Sequence, residues 1–213
     1  MEPSAPFDGD RSWKALHTLT SGAEITIRGI VPEDREELRR AFRETSPQTR
    51  YLRFFGAAAE LTEAMLTYLT CVDQQHHVAL VATLSSPDLK TERGVGVARF
   101  IRLDDGDVAE AAITVADDMQ RRGVAKALAY ELERAAVARG VRVLRAEVLE
   151  NNTRMRSILE GAGARPAAAP EDGMISYDID LGAGPVSVAP SLVDILRGAA
   201  ETMAMTIRRL RAD

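Results

Sequence analysis

Cysteine occurs once, at Cys71, and histidine three times. A single thiol excludes an internal disulfide framework and fits a reducing compartment. Without His/Cys ligand spacing around them, these residues offer no metal site. Close to the end of an apolar helical stretch, Cys71 is expected to be a packing residue. No apolar run is long enough to span a bilayer. The start, Met1-Glu2-Pro3-Ser4-Ala5-Pro6, lacks the basic end and apolar core of a secretory signal. The expected setting is the cytoplasm, with no membrane partner. A basic excess is missing too: 27 Lys and Arg face 32 Asp and Glu, a net of −5, which argues against general nucleic-acid binding. Gly94-Val95-Gly96 lacks the third glycine and the following helix of a dinucleotide loop.

What is present is a globular composition, 46% hydrophobic and 28% charged over 213 residues, enough for one core with appendages. The charge is unevenly placed. Residues 120–145 hold Arg121, Arg122, Lys126, Arg134, Arg139, Arg142 and Arg145 against Glu131 and Glu133, a local net of +5. Residues 104–118 hold six acids and no base. A basic pocket beside an acidic approach suits an anionic cofactor and a cationic co-substrate.

Residues 1–22 show no period and read as a loose leader. Glu24–Ile30 reads as a strand, and Pro32 opens a helix reaching Arg43. Arg50–Gly56 is short and aromatic, and Thr62 is placed to cap a helix that ends near Thr70. Strands are expected at Val78–Leu84, Gly94–Leu103 and Val108–Val115. A helix follows Gly123, with Val124, Leu128, Leu132 and Ala135 on one stripe and Gly140 at its end. Val141–Leu149 is a central strand, Asn152–Glu160 a helix, and Met174–Leu181 an alternating strand. Antiparallel strands followed by a strand–helix–strand crossover describe an α+β fold around one mixed, mostly antiparallel sheet. The domain is expected over 23–183. Beyond it, 184–213 form a linker and an extra C-terminal amphipathic helix at 191–211, which packs on its own domain or joins a second copy as a homodimer.

The most telling stretch is Val115-Ala116-Asp117-Asp118-Met119-Gln120-Arg121-Arg122-Gly123-Val124-Ala125-Lys126. A β-branched strand breaks into a polar turn, and a helix opens behind a glycine. Such a turn aims unpaired N–H groups and the positive end of the helix dipole at phosphate oxygens.

Gln120 to Ala125 fits Gln/Arg-x-x-Gly-x-Gly/Ala and resembles the acetyl-CoA pyrophosphate loop of the GNAT N-acetyltransferases. The resemblance spans about residues 24–181 and implies the GNAT fold with acetyl-CoA as co-substrate. Gln120, Arg121, Arg122, Gly123, Val124, Ala125 and Lys126 are then implied to hold the pyrophosphate. The backbone near Ile113 and Val115 is implied to pair with the pantetheine arm like an added strand. Val141–Val148 resembles the family's fifth strand, which splays from the fourth. Glu150-Asn151-Asn152-Thr153-Arg154-Met155 through Gly163 resembles the family's Glu-Asn-x-x-Met helix, with Asn152 on the cofactor-contacting asparagine. Arg50-Tyr51-Leu52-Arg53-Phe54-Phe55 and Tyr68-Leu69-Thr70 through Ala82 narrow it to the bacterial Pat-type protein-lysine acetyltransferases. Three positions depart from the pattern: Met119 and Ala164 stand where aromatic residues are frequent, and Leu159 where many members have an acid-acting tyrosine.

Attack on a thioester needs a neutral amine, and lysine ionises near 10.4, so a base is required. Glu110 lies in an apolar strand, on the face with Ala112 and Thr114 and opposite Ile113 and Val115. Burial there is expected to raise its pKa, and it matches the catalytic glutamate of the Pat-type branch. A backbone N–H along 113–115 is the candidate oxyanion donor, a contribution of about 2.7–4 kcal/mol. The expected function is acetyl transfer to a protein lysine. Two alternatives stay open: acetylation of a small amine, and a non-catalytic acetyl-CoA-sensing module.

Overall fold

Period-two alternation shows most plainly in the last strand. Ile175, Tyr177, Ile179 and Leu181 are all at most 5% exposed, while Ser176, Asp178 and Asp180 turn outward or to the other face. The computed structural model describes residues 5–44, 60–85, 92–103, 106–161, 163–171 and 173–182. The elements in chain order are β1 (Lys14–Thr18), β2 (Glu24–Gly29), α1 (Arg35–Glu44), α2 (Glu63–Thr70), β3 (His77–Ser85), β4 (Glu92–Arg102) and β5 (Val108–Val115). They continue with α3 (Val124–Ala138), β6 (Val143–Leu149), α4 (Thr153–Gly161), β7 (Arg165–Pro166) and β8 (Met174–Asp180). No helix among the described residues is long and apolar enough to cross a membrane.

The strands form one eight-stranded sheet in the order β1-β2-β3-β4-β5-β6-β8-β7. Every neighbouring pair is antiparallel except β5–β6. A parallel pair needs a crossover, and α3 supplies it. Its stripe of Val124, Leu128, Leu132 and Ala135 is buried against the sheet. Gly140, at φ +76°, closes the helix by bonding Val137 C=O, while Val141 N–H reaches Ala136 C=O. That is the Schellman pattern, which a left-handed glycine makes possible. On the opposite face, α1 and α2 enclose a second cluster of Leu38, Phe42, Leu61, Leu66 and Leu69.

The sheet begins earlier than the sequence suggests. The expected loose leader contains β1, which pairs with β2 from Lys14–Arg28 to Thr18–Glu24. Phe7 is 1% exposed, its ring 5.1 Å from Trp13 and lying against Gly29. An edge strand with one half-buried face carries too few apolar residues to announce itself. Smaller differences concern the ends of elements. Pro32–Asp34 form a 3-10 turn before α1, and Asp34 Oδ2 accepts from Val31 N–H at 2.9 Å. Thr62 caps α2 through Met65 N–H, as expected. Cys71, expected to pack, is exposed, because the chain leaves α2 at that residue. The aromatic segment 50–56 and the stripe at 191–211 lie outside the described residues.

Candidate active site

The β5–β6 ladder is short. It joins Val108, Ala109 and Glu110 to Val143, Leu144 and Arg145, and ends there. β5 runs on to Val115 along β4, and β6 runs on to Leu149 along β8. The two strands therefore part at Glu110 and leave a gap inside the sheet. Ala116 N–H bonds to Val95 C=O on β4. Since successive residues of a strand direct their polar groups to opposite sides, the N–H and C=O of Ile113 and Val115 point away from β4, into the gap. Their side chains lie on the α3 face and are buried at 0% and 7% exposure.

At the wide end of the gap lies the turn. Asp117–Met119 make a 3-10 turn with Met119 buried, and Gln120 Nε2 donates to Asp117 Oδ1 at 2.9 Å. Arg121 takes φ +61° and Gly123 φ +99°. Gly123 is the N-cap of α3 and provides no side-chain cap. The N–H groups of Val124, Ala125 and Lys126 thus open the helix without intrahelical acceptors. Two ties hold the turn. Thr20 donates to Arg122 C=O from its N–H at 3.2 Å and its hydroxyl at 3.1 Å. Arg93 grips Asp118 with bonds of 2.7 and 2.8 Å, holding that carboxylate below its ordinary range. Arg121, Arg122 and Lys126 are exposed around it.

The rest of the expected basic pocket lies elsewhere. Arg134 pairs with Glu131, Arg139 donates to the carbonyls of Phe7, Gln74 and Ala135, and Arg145 pairs with Asp178 on the far sheet face. Sequence proximity to the turn does not put them on it, because α3 carries the chain away and β6 returns it at the other end. Asn152 follows β6 and caps α4, its Oδ1 accepting from Met155 N–H at 3.2 Å. Its NH2 group is the part left for a ligand across the gap.

At the closed end sits Glu110, 5% exposed, on the face it shares with Ala112 and Thr114. A turn with bare helix N–H groups, an internal open strand edge and a buried acid at its closed end now lie along one line. Residues 33–163 match the acetyltransferase (GNAT) family. The chain belongs to that family.

Named relatives agree. An acetyltransferase of Pseudomonas aeruginosa is 31% identical over 168 residues, 79% of this chain and 88% of its own length. The acetyltransferase Pat of Mycolicibacterium smegmatis is 32% identical over 184 residues, 85% of this chain and 53% of that protein, so the chain spans about half of it. The GNAT domain of S. lividans PAT superposes at a TM-score of 0.71 and 29% identity, covering 80% of this chain and 98% of that one. This GNAT protein is accordingly an N-acetyltransferase, and its family uses acetyl-CoA. The residues fit that co-substrate. Gly123 needs its left-handed backbone to open the helix toward an anion, and the bare edge at Ile113 and Val115 suits an amide-bearing arm.

Leu159 is fully buried in the core, so no side-chain acid stands at that helix position. Several polar residues of this GNAT fold take positions that local sequence signals do not give. Arg99 is buried at 1% exposure in β4. Thr114 Oγ1 is buried without a hydrogen-bond partner among the described residues and lines a cavity of about 130 Å³ between α1, α2 and the sheet. Arg145 stands beside Glu110, with Asp178 on its far side. A charged residue inside an apolar strand was the one available signal for Arg99.

Proposed function

We propose that this N-acetyltransferase acetylates lysine side chains of proteins, with Glu110 as general base. The observation that carries the reading is the position of Glu110: a buried carboxylate at the residue where β5 and β6 part. A ligand lying along the open edge from the turn brings its far end to that point.

The roles follow from the chain's own groups. Gln120 to Lys126 bind the diphosphate through helix N–H groups and side-chain charge. Ile113 and Val115 pair their backbone with the extended arm, and Asn152 contacts it from across the gap. Acetyl-CoA supplies the acetyl group as an activated thioester. Glu110, directly or through one water, takes a proton from the lysine ammonium; the freed amine bonds to the acyl carbon, the carbon–sulfur bond breaks, and the second proton of the attacking nitrogen passes to the departing thiolate or to solvent. The CoA thiolate leaves without a side-chain acid, which its low basicity permits. Support for a protein acceptor comes from the similarity to the acetyltransferase Pat and to the GNAT domain of PAT.

The test is transfer of radiolabelled acetyl groups from acetyl-CoA to a deacetylated lysate, followed by separation of macromolecules. Discrete labelled bands, lost in Glu110→Gln, are expected. Label confined to small amines would replace the acceptor class. Bands undiminished in Glu110→Gln would remove Glu110 from the base role.

A further inference from the structure

Glu110, Arg145 and Asp178 stand abreast on three neighbouring strands. The β5–β6 ladder sets Glu110 opposite Arg145, and the β6–β8 ladder sets Arg145 opposite Asp178. Opposed residues share a sheet face. Asp178 grips the guanidinium twice, Nε to Oδ1 at 2.7 Å and Nη2 to Oδ2 at 2.9 Å. This two-bond geometry fixes an arginine's direction. The two side chains are 32% and 31% exposed, and pairs near the surface contribute little to stability. Stability is therefore a weak reason for the pair. Its location is a stronger one, since it fixes a positive charge beside a carboxylate that is 5% exposed, at the closed end of the gap.

We propose that Arg145 is a positioning residue for acetyl transfer: clamped by Asp178, it holds a cation beside Glu110 that keeps the base in its carboxylate form. The inference rests on the reading of Glu110 as the base. Burial alone favours the neutral acid, which cannot accept a proton. Glu147, 3% exposed and next on the same face of β6, adds negative charge that works in the same unhelpful direction. Arg145 opposes both effects, and the charges of Glu110, Glu147 and Asp178 all act on it. Asp178 in turn tempers Arg145, so that Glu110 remains basic enough to work. Other groups on this face are engaged elsewhere: Arg99 with His77 and the Leu69 carbonyl, His77 with Arg99 and the ring of Tyr68, and Ser176 with Glu147.

The experiment is a carboxyl-carbon NMR titration of the full chain labelled at glutamate, with the Glu110 signal assigned by its loss in Glu110→Gln. It needs no acceptor, so it is independent of the identity of the substrate. In Arg145→Met the Glu110 midpoint is expected to rise by about one pH unit, the low end of the effect of a neighbouring opposite charge. Arg145→Lys keeps the charge and stays near wild type. Asp178→Asn releases Arg145 toward Glu110 and moves the midpoint down. The acid limb of kcat/KM should follow the same order. A purely structural role would lower activity at every pH and leave the midpoint in place. Unmoved midpoints in folded Arg145→Met and Asp178→Asn would overturn the inference while leaving the base assignment standing. Full turnover by Glu110→Gln would overturn the base assignment, and the inference with it.

Discussion

Arg99 Nη1 donates to the imidazole Nε2 of His77 across 3.2 Å. An arginine only donates, so this imidazole is held neutral, with Nε2 as acceptor. Burial and the Arg99 charge push His77 down to about 3, and burial brings Arg99 to about 10. Arg99 also bonds the Leu69 carbonyl in the last turn of α2 at 3.3 Å, where the helix dipole favours a cation. It ties α2 to the sheet.

A pH limb of stability follows. The unfolded chain protonates His77 near the ordinary imidazole value of 6.5, while the folded chain does so only at about 3. The folded value is the lower one, so the contribution is complete above the unfolded value and is lost as pH falls between the two. The slope reaches about 1.4 kcal/mol per pH unit at most. His77→Gln should flatten this limb in urea melts across that window. Equal slopes in the two proteins would contradict the neutral assignment.

Gly29 is the clearest packing test. A Cβ there would stand 2.9 Å from Phe7 Cζ, and the Phe7 ring is itself packed beside Trp13 and under Arg139. Gly29→Ala should cost about 1–3 kcal/mol. Combined with Phe7→Leu, the two effects should fall short of their sum, because the smaller side chain relieves the clash. Additive losses in a double-mutant cycle would show that the ring does not press on Gly29.

Gly123 should link folding to co-substrate affinity. Its φ of +99° is unfavourable for a residue with a Cβ, by about 1–2 kcal/mol. Gly123→Ala should lower the melting point and weaken acetyl-CoA binding about tenfold by calorimetry. Ala125→Gly, at the position where the motif allows either residue, should leave affinity within about twofold. Unchanged binding in Gly123→Ala would separate the turn from the diphosphate.

Thr114 offers a stability gain. Its buried hydroxyl has no hydrogen-bond partner among the described residues, and such a group costs about 1–3 kcal/mol. Thr114→Val keeps the shape and should raise stability by about 1 kcal/mol in chemical denaturation. A loss of stability would mean that the hydroxyl is satisfied in solution.

Local signals carried much of this fold. The glycine after Val115-Ala116-Asp117 marked the turn and the start of α3, and the alternation of Ile175, Tyr177, Ile179 and Leu181 marked β8. Glu110 was readable as an acid in an apolar strand, with its face set by counting. Features made by ladder register were not readable. His77 and Arg99 meet because β3 and β4 pair, bringing Ala79 opposite Arg99. Arg145 looked like part of the phosphate cluster until β6 set it between Glu110 and Asp178. β1 carries no such signal, because an edge strand buries one face only, and its partner Phe7 lies outside it.

The short parallel ladder also fixes a distance. Paired strands run about 4.8 Å apart, so at Val108, Ala109 and Glu110 nothing can pass between β5 and β6. In the proposed binding mode, a thin, extended molecule threading down from the helix turn would be halted there, with its tip beside Glu110. The closed stretch acts as a depth stop. Lengthening it by a residue pair would seat the same molecule one step short of the acid, and shortening it would carry the tip past.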